Sequence, residues 1–155
     1  MELEIWHKGQ AFSCFYDKED AALVQEYVWH IVKGESGKLY VASSSKTNAI
    51  KMHRLIMNFP ETEVDHKDGN GLNNRKKNLR TATHQQNCWN RKKKKDGLTS
   101  EYKGVSFKTS KGKWVVQING RHVGLFTDEK EAALAYNTLA KIEHGEFALL
   151  NKIGE

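Results

Sequence analysis

Arg91-Lys92-Lys93-Lys94-Lys95 sets five cations side by side about three-fifths of the way along a 155-residue chain. A folded core does not take in five adjacent charges, because each would lose its hydration without a partner. A chain with such a run folds on either side of it. The run continues into Asp96-Gly97-Leu98-Thr99-Ser100, which has the composition of a linker. Charge is distributed in keeping with that division. Residues 1–63 carry 7 basic and 9 acidic side chains, residues 64–98 carry 10 and 3, and residues 99–155 carry 8 and 7. The middle stretch therefore holds a net +7 against +6 for the whole chain. A solvated tether and a strip that lies along phosphates both account for the run, and one flexible basic segment serves as both. We expect units at about 1–91 and 101–155, joined by a basic linker at 92–100.

Several classes of protein are excluded. Apolar residues at 38% and a single proline make a folding composition rather than a disordered one. No apolar run approaches the roughly 18 residues that read as a membrane span. Met1-Glu2-Leu3-Glu4 lacks the basic start and apolar core of a secretory signal, so the expected location is the cytoplasm, of the host cell if the chain is phage-encoded. Cys14 and Cys88 are too few and too far apart for a disulfide scaffold or a four-cysteine zinc module. Both read as core thiols.

The last third alternates like a sheet. Tyr102–Lys108 and Lys113–Asn119 have strand periodicity, separated by a turn at Lys111-Gly112, and Asn119-Gly120 signals a hairpin into a third strand through Phe126. Asp128 with Glu131 opens a helix whose apolar stripe is Ala132, Ala135, Tyr136, Leu139 and Ala140, ending at Gly145. Five basic and no acidic residues lie between Tyr102 and Thr127. The outer face of the sheet is thus the cationic one, with Ser106, Lys108, Lys113, Val115, Gln117 and Asn119 outward by parity and Trp114, Val116 and Ile118 toward the helix.

Tyr102-Lys103-Gly104-Val105, Lys113-Trp114, Gly124-Leu125-Phe126, Ala132-Ala133-Leu134-Ala135-Tyr136-Asn137 and His144-Gly145-Glu146-Phe147-Ala148-Leu149-Leu150-Asn151 fall in the order and spacing of one family. Residues 101–151 resemble the plant ethylene-response-factor (Apetala-type) DNA-binding domain. The resemblance implies a three-stranded antiparallel sheet with one packed helix, the sheet lying in the major groove of double-stranded DNA. It implies contacts from Lys103, Ser106, Lys108, Lys113, Gln117, Asn119, Arg121 and His122, with Arg91, Lys92, Lys93, Lys94 and Lys95 following phosphates. His122 stands where those plant domains often carry a tryptophan, and few arginines remain to read guanine.

The middle third concentrates chemistry. It runs from Val64-Asp65-His66 through a Gly/Asn-rich loop to Asn78-Leu79-Arg80-Thr81 and on to Thr83-His84-Gln85-Gln86-Asn87. A strand, a loop, a second strand and a helix from about Thr83 bring His66 opposite the first helical turns. Phosphodiester hydrolysis needs a base for water and a cation on the phosphate, and a histidine among carboxylate and amide oxygens answers both needs. Oxygen ligands favour Mg²⁺ or Mn²⁺ over zinc. Asp65-His66, Asn78 and Asn87 resemble the His-Asn-His motif in the form carried by phage homing endonucleases. The resemblance implies that Asp65 and Asn87 hold one divalent metal, His66 activates water, and Asn78 pins the loop. Adjacent strand residues face opposite ways, so Asp65 and His66 serve one site only if the strand bends or ends there. His84, one turn from Asn87, is an alternative ligand.

The first third carries less. A strand at Ala11–Phe15, a helix over Asp17–Trp29 with Leu23, Tyr27 and Val28 on its core side, and a strand at Leu39–Ala42 are expected. Lys51–Met57 matches the same nucleases ahead of their catalytic fragment, with His53 and Arg54 as candidate metal or phosphate contacts, although a packed His53 is an equal alternative. The chain is thus expected to be α+β, with a ββα-metal core at about 63–91 in a nuclease unit. Its expected function is that of a metal-dependent, strand-nicking DNA endonuclease of the phage homing type, with no membrane and no obligate protein partner. The alternative is a DNA-binding regulator on an inactive nuclease scaffold.

Overall fold

The computed structural model describes residues 1–34, 37–44, 49–93 and 99–154. These residues pack as two compact units, 1–87 and 88–155. The division falls ahead of the basic run because residues 88–93 supply contacts to the second unit, which are described below. Small, separate antiparallel sheets and a few helices make up a mixed α and β architecture. Among the described residues no helix is long and apolar enough to cross a membrane.

In the first unit, β1 (Glu2–His7) and β2 (Gln10–Phe15) form a hairpin through Lys8-Gly9. Both turn residues have positive φ, 50° and 78°, as tight two-residue hairpins demand. A short α1 (Ala21–Gln25) precedes the sheet of β3 (Trp29–Lys33), β4 (Leu39–Ser44) and β5 (Ala49–Lys51), antiparallel in the order β3-β4-β5. Then come α2 (Met52–Ile56), the pair β6 (Glu63–His66) and β7 (Leu79–Ala82), and α3 (His84–Trp89). Thr83 starts α3 with a reciprocal cap, its Oγ1 accepting from Gln86 N–H at 3.2 Å and its N–H donating to Gln86 Oε1 at 2.9 Å. Ile5, Cys14, Tyr16, Val24, Ile31, Val41, Met52, Ile56, Val64 and Leu79 form the core.

The helix expected over Asp17–Trp29 is a correction. A 3₁₀ turn at Lys18–Asp20 and five residues of α1 replace it, and Trp29 opens β3. Val24 is the buried residue, whereas Val28 is 86% exposed. Ile31 and Val32 follow Val28 and Trp29 in a β-branched and aromatic run that suits a strand, and β4 pairs with it. Asp17 caps no helix. Its carboxylate accepts from Lys76 N–H at 2.7 Å.

In the second unit, β8 (Val105–Lys108), β9 (Lys113–Ile118) and β10 (Arg121–Phe126) form an antiparallel sheet in the order β10-β9-β8. It backs onto α4 (Glu129–His144), whose N-cap Asp128 accepts from Glu131 N–H at 2.8 Å. Val105, Val116, Ile118, Ala132, Ala133, Tyr136 and Ala140 form this core. Contact is close enough that a Cβ on Gly104 would lie 2.1 Å from the Tyr136 ring, and Gly104 has φ +76° besides. Asn137 and Asn151 exchange side-chain and backbone hydrogen bonds at 2.7 and 2.9 Å, which fastens the chain after α4 to the helix.

Candidate functional site

His66 ends β6, directly opposite Leu79, and is 4% exposed. Its Nε2 lies 3.2 Å from Oδ1 of the fully buried Asn74. Asn74 Nδ2 in turn donates to Cys14 Sγ at 3.3 Å, which leaves its oxygen to accept from the ring. In the neutral imidazole the hydrogen is therefore on Nε2 and the lone pair on Nδ1. Burial pushes the His66 pKa down, followed by Lys38 in the same direction, against Asn74, Asp68 and Asp65. The ring is neutral at neutral pH, the state a base requires. Burial also pushes the Cys14 thiol up to about 11, so it packs as a neutral group.

The loop after His66 is held by side-chain amides. Asn78 accepts from Asp68 N–H at 3.1 Å and donates to Asp68 Oδ1 at 2.9 Å and the Asn73 carbonyl at 2.8 Å. Asp68 also accepts from Asn70 N–H and Asn73 Nδ2, both at 2.8 Å. Burial raises the Asp68 pKa, but these donors and the nearby His66 outweigh it and hold the carboxyl below its ordinary range. The amides thus fix the loop that follows His66.

Asp65, beside His66 in β6, is turned to Arg80 of β7. It is 3% exposed, and its Oδ2 accepts from Arg80 Nε at 3.0 Å and Nη2 at 2.8 Å across the β6–β7 pair. Glu63 shares that face by the strand period. One of its oxygens meets His84 Nδ1 at 2.8 Å and the other accepts from Asn87 Nδ2. The two expected metal ligands are therefore each engaged by a different partner, Asp65 by Arg80 and Asn87 by Glu63. His84 is likewise on Glu63. Among the described residues no group of three His, Cys, Asp or Glu side chains is gathered for a metal. The donor chemistry nonetheless suits a hard divalent ion, being carboxylates and an amide, although the Arg80 guanidinium must leave Asp65 before a cation takes its place.

His53 packs against the site, its ring 4.9 Å from His66 and nearly perpendicular to it, with Tyr40 about equidistant from both at 5.8 and 6.0 Å. Its Nδ1 is buried with no hydrogen-bond partner among the described residues. Burial, then the charges of His66, Lys51 and Arg54, push its pKa down to about 3. Arg54, expected at a phosphate, donates instead to the carbonyls of Thr62 at 3.0 Å and Pro60 at 2.5 Å and so ties the turn leading into β6.

On the sheet of the second unit Ser106, Lys108, Lys113, Gln117 and His122 are exposed. A shallow depression of about 500 Å³ opens among Ser106, Lys108, Val115, Gln117, His122 and Leu125. Other expected contacts are spent elsewhere. Asn119 turns off the outer face because the hairpin gives it φ +50°, and it donates to Glu143 of α4 at 2.9 Å and accepts from Trp89 Nε1 at 3.0 Å. Arg121 also pairs with Glu143. Trp89 stacks on His144 with centroids 4.3 Å apart. Lys103 donates to the carbonyls of Trp89 and Arg91, and Lys93 to those of Ser100, Tyr102 and Val105 at 3.0, 2.9 and 2.5 Å. Burial pushes the Lys93 pKa down. Arg91 and Lys92 are exposed, and Lys94 and Lys95 lie outside the described residues.

Four site residues escaped the sequence reading: Glu63, Arg80, Asn74 and Tyr40. Glu63 was accessible by strand period from Asp65, and Arg80 by pairing the two strands in register. Nothing local marks Asn74 or Tyr40.

Residues 58–88 match a family model described as HNH endonuclease. The chain is 32% identical to the "Uncharacterized HNH endonuclease L560" of Acanthamoeba polyphaga mimivirus over 157 aligned residues, which cover 94% of this chain and 78% of that protein. No solved structure matches the chain.

Proposed function

Because the chain belongs to the HNH endonuclease family, whose members are DNA-cleaving hydrolases, we propose that it cuts duplex DNA by metal-dependent phosphodiester hydrolysis with His66 as the base. The observation that carries this is the buried, neutral His66 whose Nε2 is held by Asn74, which fixes the ring and puts the lone pair of the neutral imidazole on Nδ1. Nδ1 takes a proton from water as the water oxygen attacks phosphorus, and the phosphodiester releases its leaving oxygen. Asn74 holds the tautomer and the ring angle, and Asn78 fixes the loop that starts at Lys67. Asp65 and Asn87 would hold Mg²⁺ or Mn²⁺ through their side-chain oxygens, with Arg80 yielding Asp65 Oδ2 while Glu63 keeps Asn87 by its Nδ2. When bound, the ion polarises the phosphate and stabilises the leaving oxygen. Residues 101–151 serve as an Apetala-type DNA-binding module with the sheet toward the groove. A cutting unit joined to a DNA-reading unit suits a homing role, and a similar chain exists in a giant virus.

The test is cleavage of supercoiled plasmid with Mg²⁺ or Mn²⁺. His66→Ala should lose more than about a hundredfold in rate, the range of a positioned general base, while duplex binding persists. Retention of cleavage by His66→Ala would overturn the assignment. Asp65→Ala and Asn87→Ala should be as severe, and His84→Ala milder. The reverse order for the last two would transfer the ligand role to His84.

A further inference from the structure

The outer sheet face is graded along its strands. Cross-strand register sets Lys108 beside Lys113 at one end, Ser106, Val115 and Leu125 in one row at the centre, and Gln117 beside His122 at the other end. Gln117 is exposed, and its N–H donates to the Gly104 carbonyl at 2.8 Å, which holds its backbone against the chain leading into β8. A bulge between His122 and Gly124 keeps His122 outward while returning Leu125 to the outer row. Phosphate binding alone needs only the cations. A central apolar row between cations and an amide has a different use, because the edges of bases present both hydrogen-bonding groups and a methyl.

We propose that this depression, resting on the duplex-binding reading above, reads A·T pairs in the major groove. Gln117 is bidentate to adenine N6 and N7, and Leu125, beside the buried Val115, receives the 5-methyl of a neighbouring thymine. Lys108 and Lys113 grip phosphate and carry no sequence information. Duplex DNA is the occupant because residues 102–127 include no carboxylate, so nothing on the sheet repels a phosphate backbone. Arg121, the one arginine between residues 102 and 127, pairs with Glu143 of α4.

The experiment selects duplexes from a randomised pool with the full chain in EDTA, so that nothing is cut. An A·T pair should be enriched at one or more positions. Gln117→Arg should move one of them to G·C, by about tenfold in relative affinity. Replacing thymine by deoxyuridine beside it should weaken binding about fourfold, the value of one methyl, and Leu125→Ser should erase that difference. The double change Lys108→Ala with Lys113→Ala should weaken all duplexes alike. Binding without base preference, or a preference that Gln117→Arg leaves in place, would overturn the inference and spare the duplex-binding reading. Failure to bind any duplex would overturn both.

Discussion

At the scale of single residues, the site depends on groups kept uncharged by burial. His53 and His66 fold as neutral rings, whereas the unfolded chain protonates them near the ordinary 6.5. Below that pH the unfolded state gains protons that the folded state refuses. Stability should therefore be full above about 6.5 and fall continuously as the pH drops toward about 3, where His53 itself protonates. Denaturant midpoints measured across that range should show the slope, and His53→Phe should reduce it, leaving the share of His66. The ordered set Asp65, His66, Asn78 and Asn87 was legible because its spacing is a property of the chain. Asn74 was not, because the role of an amide depends on the ring and thiol that the fold brings to it.

Among the elements, the β6–β7 pair is the one whose stability and proposed chemistry share an interaction. The side chains of Asp65 and Arg80 are 2% and 10% exposed. Removing one member leaves a buried charge, so Arg80→Ala should cost about 3–5 kcal/mol in chemical denaturation. Asp65→Asn with Arg80→Met together should cost clearly less than the two single changes summed, and an additive loss would mean that the pair is not coupled. Elements with strong local signals were readable: β6 and β7 from the turn-rich loop between them, β9 and β10 from Asn119-Gly120, α4 from its cap. The stretch 17–33 was misread because a helical N-terminal signature at Asp17 competes with the strand-forming run from Val28, and only pairing with β4 decides the outcome. β1 escaped notice, since a charged, mostly exposed edge has a weak period.

For the whole molecule, one His66 per chain and no internal repeat give the proposed mechanism one water-activating base for two strands. Open circles should therefore appear first from supercoiled plasmid, with linear product late or absent. Linear product that forms directly, with second-order dependence on protein, would indicate a working dimer. The basic run that organises the sequence is also less uniform than its composition, for Lys93 is committed to three carbonyls while Arg91 and Lys92 are exposed. Adjacent cations in one run thus divide between holding the fold and facing solvent, a distinction no charge count contains.

The Trp89–His144 stack has a spectroscopic consequence. An indole lying 4.3 Å from an imidazole, inclined at 15°, is a light source with a proton-dependent shutter, since a protonated ring over the indole drains its excited state. Burial holds the His144 pKa below 6.5. Emission should consequently dim on acidification with a midpoint below that of an exposed histidine, and Trp89→Phe should remove that component. Trp6, Trp29 and Trp114 make no such stack among the described residues, so the dimming would report on one corner of the second unit without any added dye.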